Sequence, residues 1–359
     1  MKSERVSCNE QIMRRILVTG GAGFIGSHLV DRLIHDGHHV WVLDNFSTGR
    51  PENLAHLSGH PRLSVSQGDV TDRKVVDEVM TDIHWVFHLA SLADIVPSMV
   101  NPLTYYHANV SGTATVVESA RQAGIQRFVY TASSSCYGLP DVYPTPETAE
   151  IRPQYPYALT KNLGEQIVMH WAQTYGLPVV SLRLFNVYGP RARTSGTYGA
   201  VFGVFLAQKL ARKPFTVIGD GTQTRDFTYV TDVVDAFVKA AESQCAEEIF
   251  NIGSGGTYSI NHLVDLLRGP VVHIPKRPGE PDCTFASIEK ARSMLNWTPT
   301  MTFEEGVSVM LQHIQAWEKA PVWDPESIAV ASADWFRYLG RGTTELANCG
   351  GQVWVESRY

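Results

Sequence analysis

Short apolar runs alternate with amphipathic helical stretches along the first half of the chain. Apolar residues at helical spacing predict a helix over 24–36, which Gly37 can end in the left-handed conformation. Alternation of this kind is typical of βαβ units, in which helices cover both faces of a parallel sheet. The first half therefore predicts a doubly wound α/β sheet. Its predicted strands are 16–20, 40–44, 62–69, 84–90 and 127–133.

The second half of the chain alternates less regularly. Pro156 precedes a helical stretch over 157–175, and an apolar run at 177–186 predicts one more buried strand. Beyond it, Gly- and Pro-rich segments mix with helical stretches at 198–211 and 303–317. We therefore expect a smaller mixed α/β C-terminal lobe beside the sheet. The expected division is a sheet domain of 15–185 and 229–255, a lobe of 186–228 and 256–320, a disordered leader of 1–14 and an unassigned tail of 321–359.

The composition argues against a membrane-spanning or nucleic-acid-binding protein. Hydrophobic residues make up 44% of the chain, and no apolar run approaches the roughly 20 residues that a membrane helix needs. The net charge of −6 gives no general attraction to nucleic acid or to an anionic membrane surface. Its five cysteines are scattered without metal-ligand spacing, which favours reduced thiols in the cytoplasm and no bound metal. Any phosphate of a ligand is therefore expected to meet a few placed basic groups.

A glycine-rich turn joins the first strand to the first helix. Its sequence, VTGGAGFIG, supplies Gly20, Gly23 and Gly26. Glycine lets the backbone approach a pyrophosphate closely, and the helix N-terminus offers unpaired N–H groups to the negative charge. The second strand ends at Asp44, whose carboxylate can accept both adenosine ribose hydroxyls and repel a 2′-phosphate. This order of elements predicts a Rossmann-type site for NAD, although the nearby Arg50 would favour NADP.

A tyrosine and a lysine lie one helical turn apart near the start of the predicted helix 157–175. The spacing of four residues places Tyr157 and Lys161 on one helix face. A tyrosine with a pKa near 10 is a poor base at neutral pH, but a neighbouring ammonium lowers that pKa. Ser133 ends the preceding strand, at the edge of the sheet where ligands bind. The three residues predict a proton-transfer site.

The same residues leave two other interpretations open. Tyr157 could be a packed tyrosine beside a solvated Lys161. Ser133 and His88 could form a hydrolase pair, although no Gly-x-Ser-x-Gly turn surrounds the serine.

Several further segments carry a resemblance to a known family. They are Asp44-Asn45, GDV at 68–70, HLA at 88–90, Asn109, SSSCYG at 133–138, YALTK at 157–161, RLFNVYGP at 183–190 and DGTQTRD at 220–226. Together with the glycine-rich turn, they make residues 15–320 resemble the extended short-chain dehydrogenase/reductases. The motifs are most similar to those of NAD-dependent nucleotide-sugar epimerases and dehydratases, in particular UDP-glucose and UDP-N-acetylglucosamine 4-epimerases. The resemblance implies that the sheet domain binds NAD and that the lobe binds a nucleotide sugar.

The resemblance also implies a role for individual residues. Tyr157 is expected to be the base, Lys161 to tune it and hold the nicotinamide ribose, and Ser133 to hydrogen-bond the reacting sugar oxygen. Four residues are expected to grip the nucleoside diphosphate: Asn186, Arg225, Arg277 and Glu280. The expected cofactor-binding residues are Gly20, Gly23, Phe24, Ile25, Gly26, Asp44, Asn45, Ser47, Thr48, Gly49, Asp69, Val70, Leu89, Ala90, Ser91, Asn109, Ser133, Tyr157 and Lys161. The expected substrate-binding residues are Ser133, Ser134, Tyr157, Asn186, Ala200, Val201, Ile218, Arg225, Arg277 and Glu280.

The segment after Ser133 separates the reactions of this family. Its 4,6-dehydratases carry an Asp-Glu pair directly after the catalytic hydroxyl residue, and its decarboxylases tend to carry a glutamate there, because these reactions need further proton transfer. Ser134 and Ser135 stand at those two positions here. A redox-neutral 4-epimerisation of a UDP-sugar is therefore expected. A dehydratase or decarboxylase is the alternative within the family, and an NAD-binding regulatory protein without turnover is the alternative of another class.

The sequence defines the sugar and the assembly less closely. Cys283 and Thr284 align where the family sets pocket width, and neither is bulky, so a C2 or C6 substituent could be accommodated. Asp94 either faces the sugar, where it would disfavour a uronate, or caps a helix on the outside. The resemblance also implies a homodimer, in which the helices around 102–123 and 157–175 form a four-helix bundle across a twofold axis.

Overall fold

The computed structural model describes residues 13–193 and 200–340 of the chain. The strands are β1 (Arg15–Thr19), β2 (His39–Asp44), β3 (Leu63–Gln67), β4 (Trp85–His88), β5 (Arg127–Ser133), β6 (Val179–Leu184), β7 (Phe215–Ile218), β8 (Thr224–Arg225), β9 (Glu248–Ile252), β10 (Tyr258–Ser259) and β11 (Val271–Ile274). The helices are α1 (Phe24–His35), α2 (Arg73–Val79), α3 (Ile95–Val100), α4 (Pro102–Tyr106), α5 (Gly112–Ala123), α6 (Pro156–Tyr175), α7 (Val201–Leu210), α8 (Val230–Glu242), α9 (Ile260–Leu267), α10 (Glu289–Leu295), α11 (Phe303–Gln312), α12 (Pro325–Ala331) and α13 (Ala333–Leu339).

One parallel sheet holds seven of these strands, in the order β3-β2-β1-β4-β5-β6-β9. Helices cover both faces, and β1 and β6 are consequently almost completely buried, with mostly apolar residues. The six strands predicted from the sequence are all present, and their ends agree with the predicted ends to within two residues. The seventh, β9, was not predicted. The expected Rossmann-type, doubly wound α/β fold is confirmed.

Two glycines and a proline mark ends of helices α1 and α6, which pack on this sheet. The helix predicted over 24–36 is α1, and Gly37 follows it with φ of 90°, as expected. Pro156 is the first residue of α6, and Gly176 ends this helix with φ of 66°. The carboxyl ends of β1, β2, β4 and β5 meet at one edge, which brings the glycine-rich turn, Asp44 and Ser133 towards one another.

A second apolar core lies outside the parallel sheet. There β7 pairs with β11 in parallel, and β8 pairs with β10 antiparallel. The ring of Tyr188 stacks on Phe202 at 4.6 Å between ring centroids and meets Phe303 edge-on at 5.9 Å. These elements make the expected mixed α/β lobe. The helix predicted over 198–211 is α7, and the one predicted over 303–317 is α11 followed by a 3₁₀ turn at Ile314–Trp317. The exact division into sheet domain and lobe stays our proposal.

The sequence predicted a disordered leader at 1–14 and left the tail at 321–359 unassigned. Of the expected leader, residues 1–12 lie outside the described residues, and Arg14 lies over the Trp85 ring at 4.3 Å. The tail continues as α12 and α13, and residues 341–359 and 194–199 lie outside the described residues. In the described part, no helix is long and apolar enough to cross a bilayer, and no three His, Cys, Asp or Glu residues are grouped to hold a metal ion.

Candidate active site

The glycine-rich turn passes very close to neighbouring backbone. Gly20 has φ of 71°, and a Cβ at this position would lie 2.7 Å from the backbone nitrogen of Ala90. A Cβ on Gly26 would lie 2.2 Å from the carbonyl oxygen of Gly20, so α1 can begin directly against the turn. Gly23 occupies the N-cap position and brings no side chain to cover the first N–H groups of α1. The turn therefore offers the close approach and the helix N-terminus that a pyrophosphate site requires.

Asp44 ends β2 beside this turn. Its Oδ2 accepts a hydrogen bond from the backbone nitrogen of Ala22 at 3.0 Å, and its Oδ1 accepts one from that of Phe46 at 2.8 Å. A Cβ on Gly49 would lie 2.7 Å from Oδ2, which explains the glycine there. Burial raises the pKa of Asp44. Because each carboxylate oxygen can accept two hydrogen bonds, the fixed group keeps acceptor sites for two ribose hydroxyls.

The other predicted cofactor residues lie on neighbouring segments of the same edge. Asn45 donates from Nδ2 to Asp69 Oδ2 at 2.8 Å, and its Oδ1 accepts from the backbone nitrogen of Ser47 at 2.9 Å. These bonds join the end of β2 to the loop after β3. The remaining predicted contacts are Phe24 and Ile25 in the first turn of α1, Thr48 before Gly49, and Val70 directly after Asp69.

Asn109 ties the loop after β4 to helix α6. Its Oδ1 accepts from the backbone nitrogen of Leu92 at 2.8 Å, and its Nδ2 donates to the Leu92 carbonyl at 3.0 Å and to Thr160 Oγ1 at 3.0 Å. It lies in a π-helical turn, His107–Ser111, of the kind frequent at functional sites. The amide thus fixes the loop that carries Leu89, Ala90 and Ser91, and a role in cofactor binding through this loop stays a prediction.

The phenol of Tyr157 hydrogen-bonds to the hydroxyls of both Ser133 and Ser135. Ser133 Oγ is 2.9 Å from Ser135 Oγ, because a 3₁₀ turn follows β5 and folds the two hydroxyls back on each other. Burial raises the pKa of Tyr157, and the two serine hydrogen bonds only partly offset this rise. The structure thus brings together the predicted Ser133 and Tyr157. It also adds Ser135 to the site. In the sequence, Ser135 had served only to show that the acidic residue of a dehydratase is absent at this position.

Lys161 is enclosed one turn further along α6. Its ammonium lies 4.8 Å from the centre of the Tyr130 ring, and its side chain is buried. Burial lowers the pKa of Lys161 to about 7, and Glu165 opposes this shift. The expectation that this ammonium brings the pKa of Tyr157 below its ordinary value is wrong for this structure, because burial of the phenol dominates.

His88 cannot serve Ser133 as a hydrolase base. Its Nδ1 is 2.7 Å from Thr19 Oγ1 and its Nε2 is 3.0 Å from Thr113 Oγ1. Burial, aided by the charge of Lys161, lowers the pKa of His88 to about 3, so the ring is neutral. Both ring nitrogens are engaged with threonines, and the hydrolase interpretation is therefore rejected.

Three of the residues expected to grip the nucleoside diphosphate converge. Arg225 on β8 donates from Nη2 to Glu280 Oε1 at 2.8 Å, and Arg277 Nη1 lies 3.8 Å from Glu280 Oε2. The arginine side chains are only 10% and 11% exposed. Two guanidinium groups lie beside one carboxylate, a donor set that suits a diphosphate.

Asn186 lies beside the residue expected to set pocket width. Its Oδ1 accepts from Thr284 Oγ1 at 2.7 Å, and that hydroxyl accepts from the backbone nitrogen of Asp226 at 3.0 Å. The amide of Asn186 is thereby oriented next to the strand that carries Arg225. The other expected substrate residues are Ser134 in the 3₁₀ turn, Ala200 and Val201 at the start of α7, and Ile218 at the end of β7. Their contacts with a sugar stay predictions.

Asp94 occupies the N-cap position of α3 without capping that helix through its side chain. Its carboxylate accepts a hydrogen bond from Nη1 of Arg193. After burial, the charge of Asp94 is among the causes that raise the pKa of Tyr157, so this carboxylate lies near enough to the phenol to act on it. Because Arg193 compensates the charge, the repulsion expected against a uronate is weakened.

The sequence of this chain is similar to those of known proteins. Residues 16–253 match the family model described as the NAD dependent epimerase/dehydratase family. The chain belongs to this family. It is 37% identical over 305 residues to a UDP-glucose 4-epimerase of Mycolicibacterium smegmatis, which covers 82% of this chain and 96% of that protein. It is also 37% identical over 308 residues to UDP-glucuronic acid decarboxylase 1 of Arabidopsis thaliana, which covers 83% of this chain and 69% of that protein.

A solved structure extends this comparison. The structure of a UDP-glucuronic acid 4-epimerase from Bacillus cereus, in complex with UDP-glucuronic acid and NAD, is 32% identical with a TM-score of 0.78. The match covers 84% of this chain and 99% of that one. The expectation of an NAD-dependent enzyme of the extended short-chain dehydrogenase/reductase type is confirmed at the level of the family, and NAD is its cofactor.

In the sequence, Arg50 was the residue that favoured NADP over NAD. Arg50 donates from Nη2 to the carbonyl oxygen of Arg191 at 3.1 Å and to Asn53 Oδ1 at 3.3 Å. The guanidinium therefore holds the loop after Pro190 against the nucleotide-binding turn. This contact gives Arg50 a structural role, whereas the carboxylate of Asp44 fits the ribose hydroxyls of NAD.

We expect Asp44→Ala to weaken NAD binding and to relax discrimination against NADP. At about 4 Å, repulsion between a carboxylate and a phosphate charge amounts to about 1–4 kcal/mol, so the ratio of the two dissociation constants should change by roughly fivefold or more. Asp44→Asn is the matched control, because it removes the charge and keeps one of the two side-chain oxygens, which accept separately from the backbone nitrogens of Ala22 and Phe46. Titration of both cofactors into parent and variants measures the ratio. An unchanged ratio would assign the choice of cofactor to another group.

Proposed function

We propose that the chain is a UDP-sugar 4-epimerase, which oxidises C4 of the sugar to a 4-keto group and reduces it from the other face. The observation that carries the proposal is the Tyr157 phenol beside the paired hydroxyls of Ser133 and Ser135. Serines stand at both positions where dehydratases of the family need an acid pair. The UDP-glucose 4-epimerase of Mycolicibacterium smegmatis, a relative at 37% identity, supports the same assignment.

The chain's own residues need to move only one proton, at the C4 oxygen. Tyr157 takes the proton from the C4 hydroxyl while Ser133 hydrogen-bonds the same oxygen. Lys161, one helical turn from Tyr157, holds the nicotinamide ribose, and its charge favours the phenolate without outweighing the burial of the phenol. The glycine-rich turn, Asp44 and Lys161 would hold NAD, which would supply a reversible hydride acceptor for C4. Tyr157 then returns its proton to the C4 oxygen, and no carbon atom has to be protonated.

The proposed substrate class rests on a small cluster of charged side chains in the lobe. Arg225 and Arg277 supply two guanidinium groups for the diphosphate, and Glu280 between them offers oxygens that can accept hydroxyl hydrogens of the nucleoside. Asn186 lies next to this cluster through Thr284. Together the four residues support a nucleoside diphosphate sugar as substrate.

A uronate substrate has one specific observation in its favour. Arg193 compensates the carboxylate of Asp94 near the site, and this weakens the charge argument against an acidic sugar. UDP-glucuronate therefore belongs among the tested substrates, with a 4-epimerase and a decarboxylase as its two possible outcomes.

Turnover in deuterated water tests the proposed reaction. We expect UDP-galactose, UDP-N-acetylglucosamine or UDP-glucuronate to give its C4 epimer, with unchanged mass and no carbon-bound deuterium, because the hydride returns to the carbon it left. A 4,6-dehydratase must protonate a carbon after losing water, and a decarboxylase must protonate C5 after losing carbon dioxide. Chromatography separates the products, and mass spectrometry with proton NMR locates the deuterium.

The outcomes of this experiment separate all the candidates. Carbon-bound deuterium together with loss of water or carbon dioxide would overturn the epimerase proposal in favour of the other reactions of the family. NAD binding without turnover of any of the three nucleotide sugars would favour a regulatory protein.

A homodimer and a cytoplasmic location complete the proposal. Leu103 is 81% exposed and Leu159 is 45% exposed, on α4 and α6, within the two segments expected to pack across a twofold axis. We expect the parent to be a dimer at micromolar concentration in light scattering. Leu103→Glu should shift it towards monomer, whereas Met294→Glu on α10, also at an exposed position, should not. A monomeric parent would contradict the dimer.

The proposed cytoplasmic location has separate support. Among the described residues, Cys136, Cys245 and Cys283 are free thiols, as expected in a reducing compartment.

A further inference from the structure

The last two helices are firmly anchored on the lobe. Asp324 and Ser327 cap the start of α12 reciprocally, side chain to backbone in both directions. Ile328 is buried in the apolar core of the lobe, and the carbonyl oxygen of Trp323 accepts from Gln208 Nε2 at 2.7 Å. The segment is therefore a fixed part of the fold, and α13 holds a defined position.

Trp335 is the residue through which α13 meets the candidate active site. It is 3% exposed, and its indole Nε1 donates to the carbonyl oxygen of Pro278 at 2.7 Å. The guanidinium of Arg277 lies over the indole at 5.2 Å. The Tyr155 ring lies 6.0 Å from the indole and in turn stacks on Tyr157, with 6.4 Å between centroids and 8° between planes. One indole thus contacts both the arginine expected to bind diphosphate and the tyrosine next to the proposed base.

The loop 276–280 is held from two sides. Gly279 has φ of 70°, and a Cβ there would lie 3.6 Å from the Leu339 side chain of α13. Glu280, at the other end of the loop, accepts the hydrogen bond from Arg225 on β8. The position of Arg277 therefore depends on α13 as well as on the lobe.

These helices lie beyond the part of the chain that carries the family motifs. The motif resemblance ends near residue 320, and the Bacillus cereus structure is matched over 99% of its length by 84% of this chain. The contact of α13 with the loop therefore joins a helix after residue 320 to the segment that carries the motif resemblance.

We propose that α12 and α13 form part of the substrate site, with Trp335 as a positioning residue that orients Arg277 for the diphosphate of the nucleotide sugar. The inference rests on the proposed function and goes beyond it by assigning a role to the tail. The indole N–H fixes the backbone of Pro278, and the indole face holds the guanidinium by a cation–π contact. An arginine that is ordered in advance loses less freedom when the ligand binds, so affinity rises without a new contact to the ligand.

Three variants separate this role from simple packing. Trp335→Ala removes the hydrogen bond and the aromatic face. Trp335→Phe keeps a smaller aromatic face and removes the N–H donor. Phe336→Ala changes the neighbouring side chain, which is 39% exposed. We expect the dissociation constant for UDP and the KM for the sugar substrate to rise roughly tenfold in Trp335→Ala, with a smaller rise in Trp335→Phe. The kcat should change less than KM, and Phe336→Ala should behave as the parent.

Two measurements decide the outcome. Calorimetric titration of UDP, below the unfolding temperature of each variant, measures the affinity. Hydrogen exchange of the backbone amides in 276–280, without added nucleotide, measures whether Trp335 holds the loop. Equal UDP affinity in parent and Trp335→Ala, or unchanged exchange in the loop, would overturn the inference. If Trp335→Ala does not fold, Trp335→Phe decides by the same two criteria. Failure of the parent to bind UDP would instead overturn the proposed substrate, and with it the diphosphate role, while loop exchange would still report whether Trp335 orders Arg277.

Discussion

Tyr157→Phe is expected to lower kcat roughly 10²- to 10⁴-fold, the range for loss of a general base, while NAD stays bound. The variant keeps the aromatic ring that stacks on Tyr155 and loses only the oxygen that hydrogen-bonds to Ser133 and Ser135. No proton can then leave the C4 hydroxyl through this residue, and hydride transfer stops for the same reason. The measurement is turnover of a UDP-sugar, together with the absorbance of the bound cofactor.

Tyr155→Phe is the matched control. It removes a hydroxyl two residues earlier and keeps the ring stacked on Tyr157. We expect near-parent turnover from Tyr155→Phe, and the parent amount of bound NAD in both variants. Near-normal turnover of Tyr157→Phe, or equal losses in the two variants, would show that Tyr157 is not the base.

Ser135 allows a second test of Tyr157 as the base, through the pH dependence of kcat. Both Ser133 and Ser135 lower the pKa of Tyr157 against the dominant effect of burial. Loss of either hydroxyl should therefore make the phenol harder to ionise and shift the acid limb of the kcat profile to higher pH. The shift in Ser135→Ala separates support of the base from contact with the sugar oxygen, which the proposal assigns to Ser133.

The local parts of this site could be predicted from the sequence because they depend on neighbours in the chain. The turn at Gly20 needs a positive φ, and Gly26 needs the absence of a Cβ, so these residue types directly reveal a close backbone approach. Strands β1 and β5 each contain an apolar run, ILV at 16–18 and FVY at 128–130, typical of a parallel sheet. Strand β9 reads EIFNI, a short segment without a distinctive pattern, and it was missed.

The parts that could not be predicted depend on contacts between distant segments. Trp335 bonds to Pro278, 57 residues away, and Arg193 pairs with Asp94 across 99 residues. The pattern of apolar and polar residues along the chain does not indicate such long-range pairs, and a single sequence carries no other signal for them. The convergence of Arg225 on Glu280 was expected only through the family resemblance, since spacing alone relates neither residue to the other.

A buried ion pair joins the helix of the proposed base to the sheet. Glu165 on α6 and Arg183 on β6 are 4% and 5% exposed, and Arg183 Nη2 lies 2.5 Å from Glu165 Oε1. Ser181 also donates to Glu165 Oε2 at 2.8 Å, and Arg183 Nη1 donates to the hydroxyl of Tyr137 at 2.8 Å. Tyr137 ends the turn that begins after Ser133, so this network links that turn, β6 and α6.

We expect Glu165→Leu to lower the free energy of unfolding by about 3–5 kcal/mol, because Arg183 would stay buried without its carboxylate. Glu165→Leu combined with Arg183→Met removes both charges, and it should be less destabilised than Glu165→Leu alone, since buried pairs replaced by apolar residues of similar volume are often near neutral. Glu165→Gln controls for shape, because it retains an oxygen for the Ser181 hydroxyl. Urea titration at a fixed NAD concentration measures all four proteins. A double variant at least as unstable as Glu165→Leu would contradict the charge argument and assign the stabilisation to side-chain packing between α6 and β6.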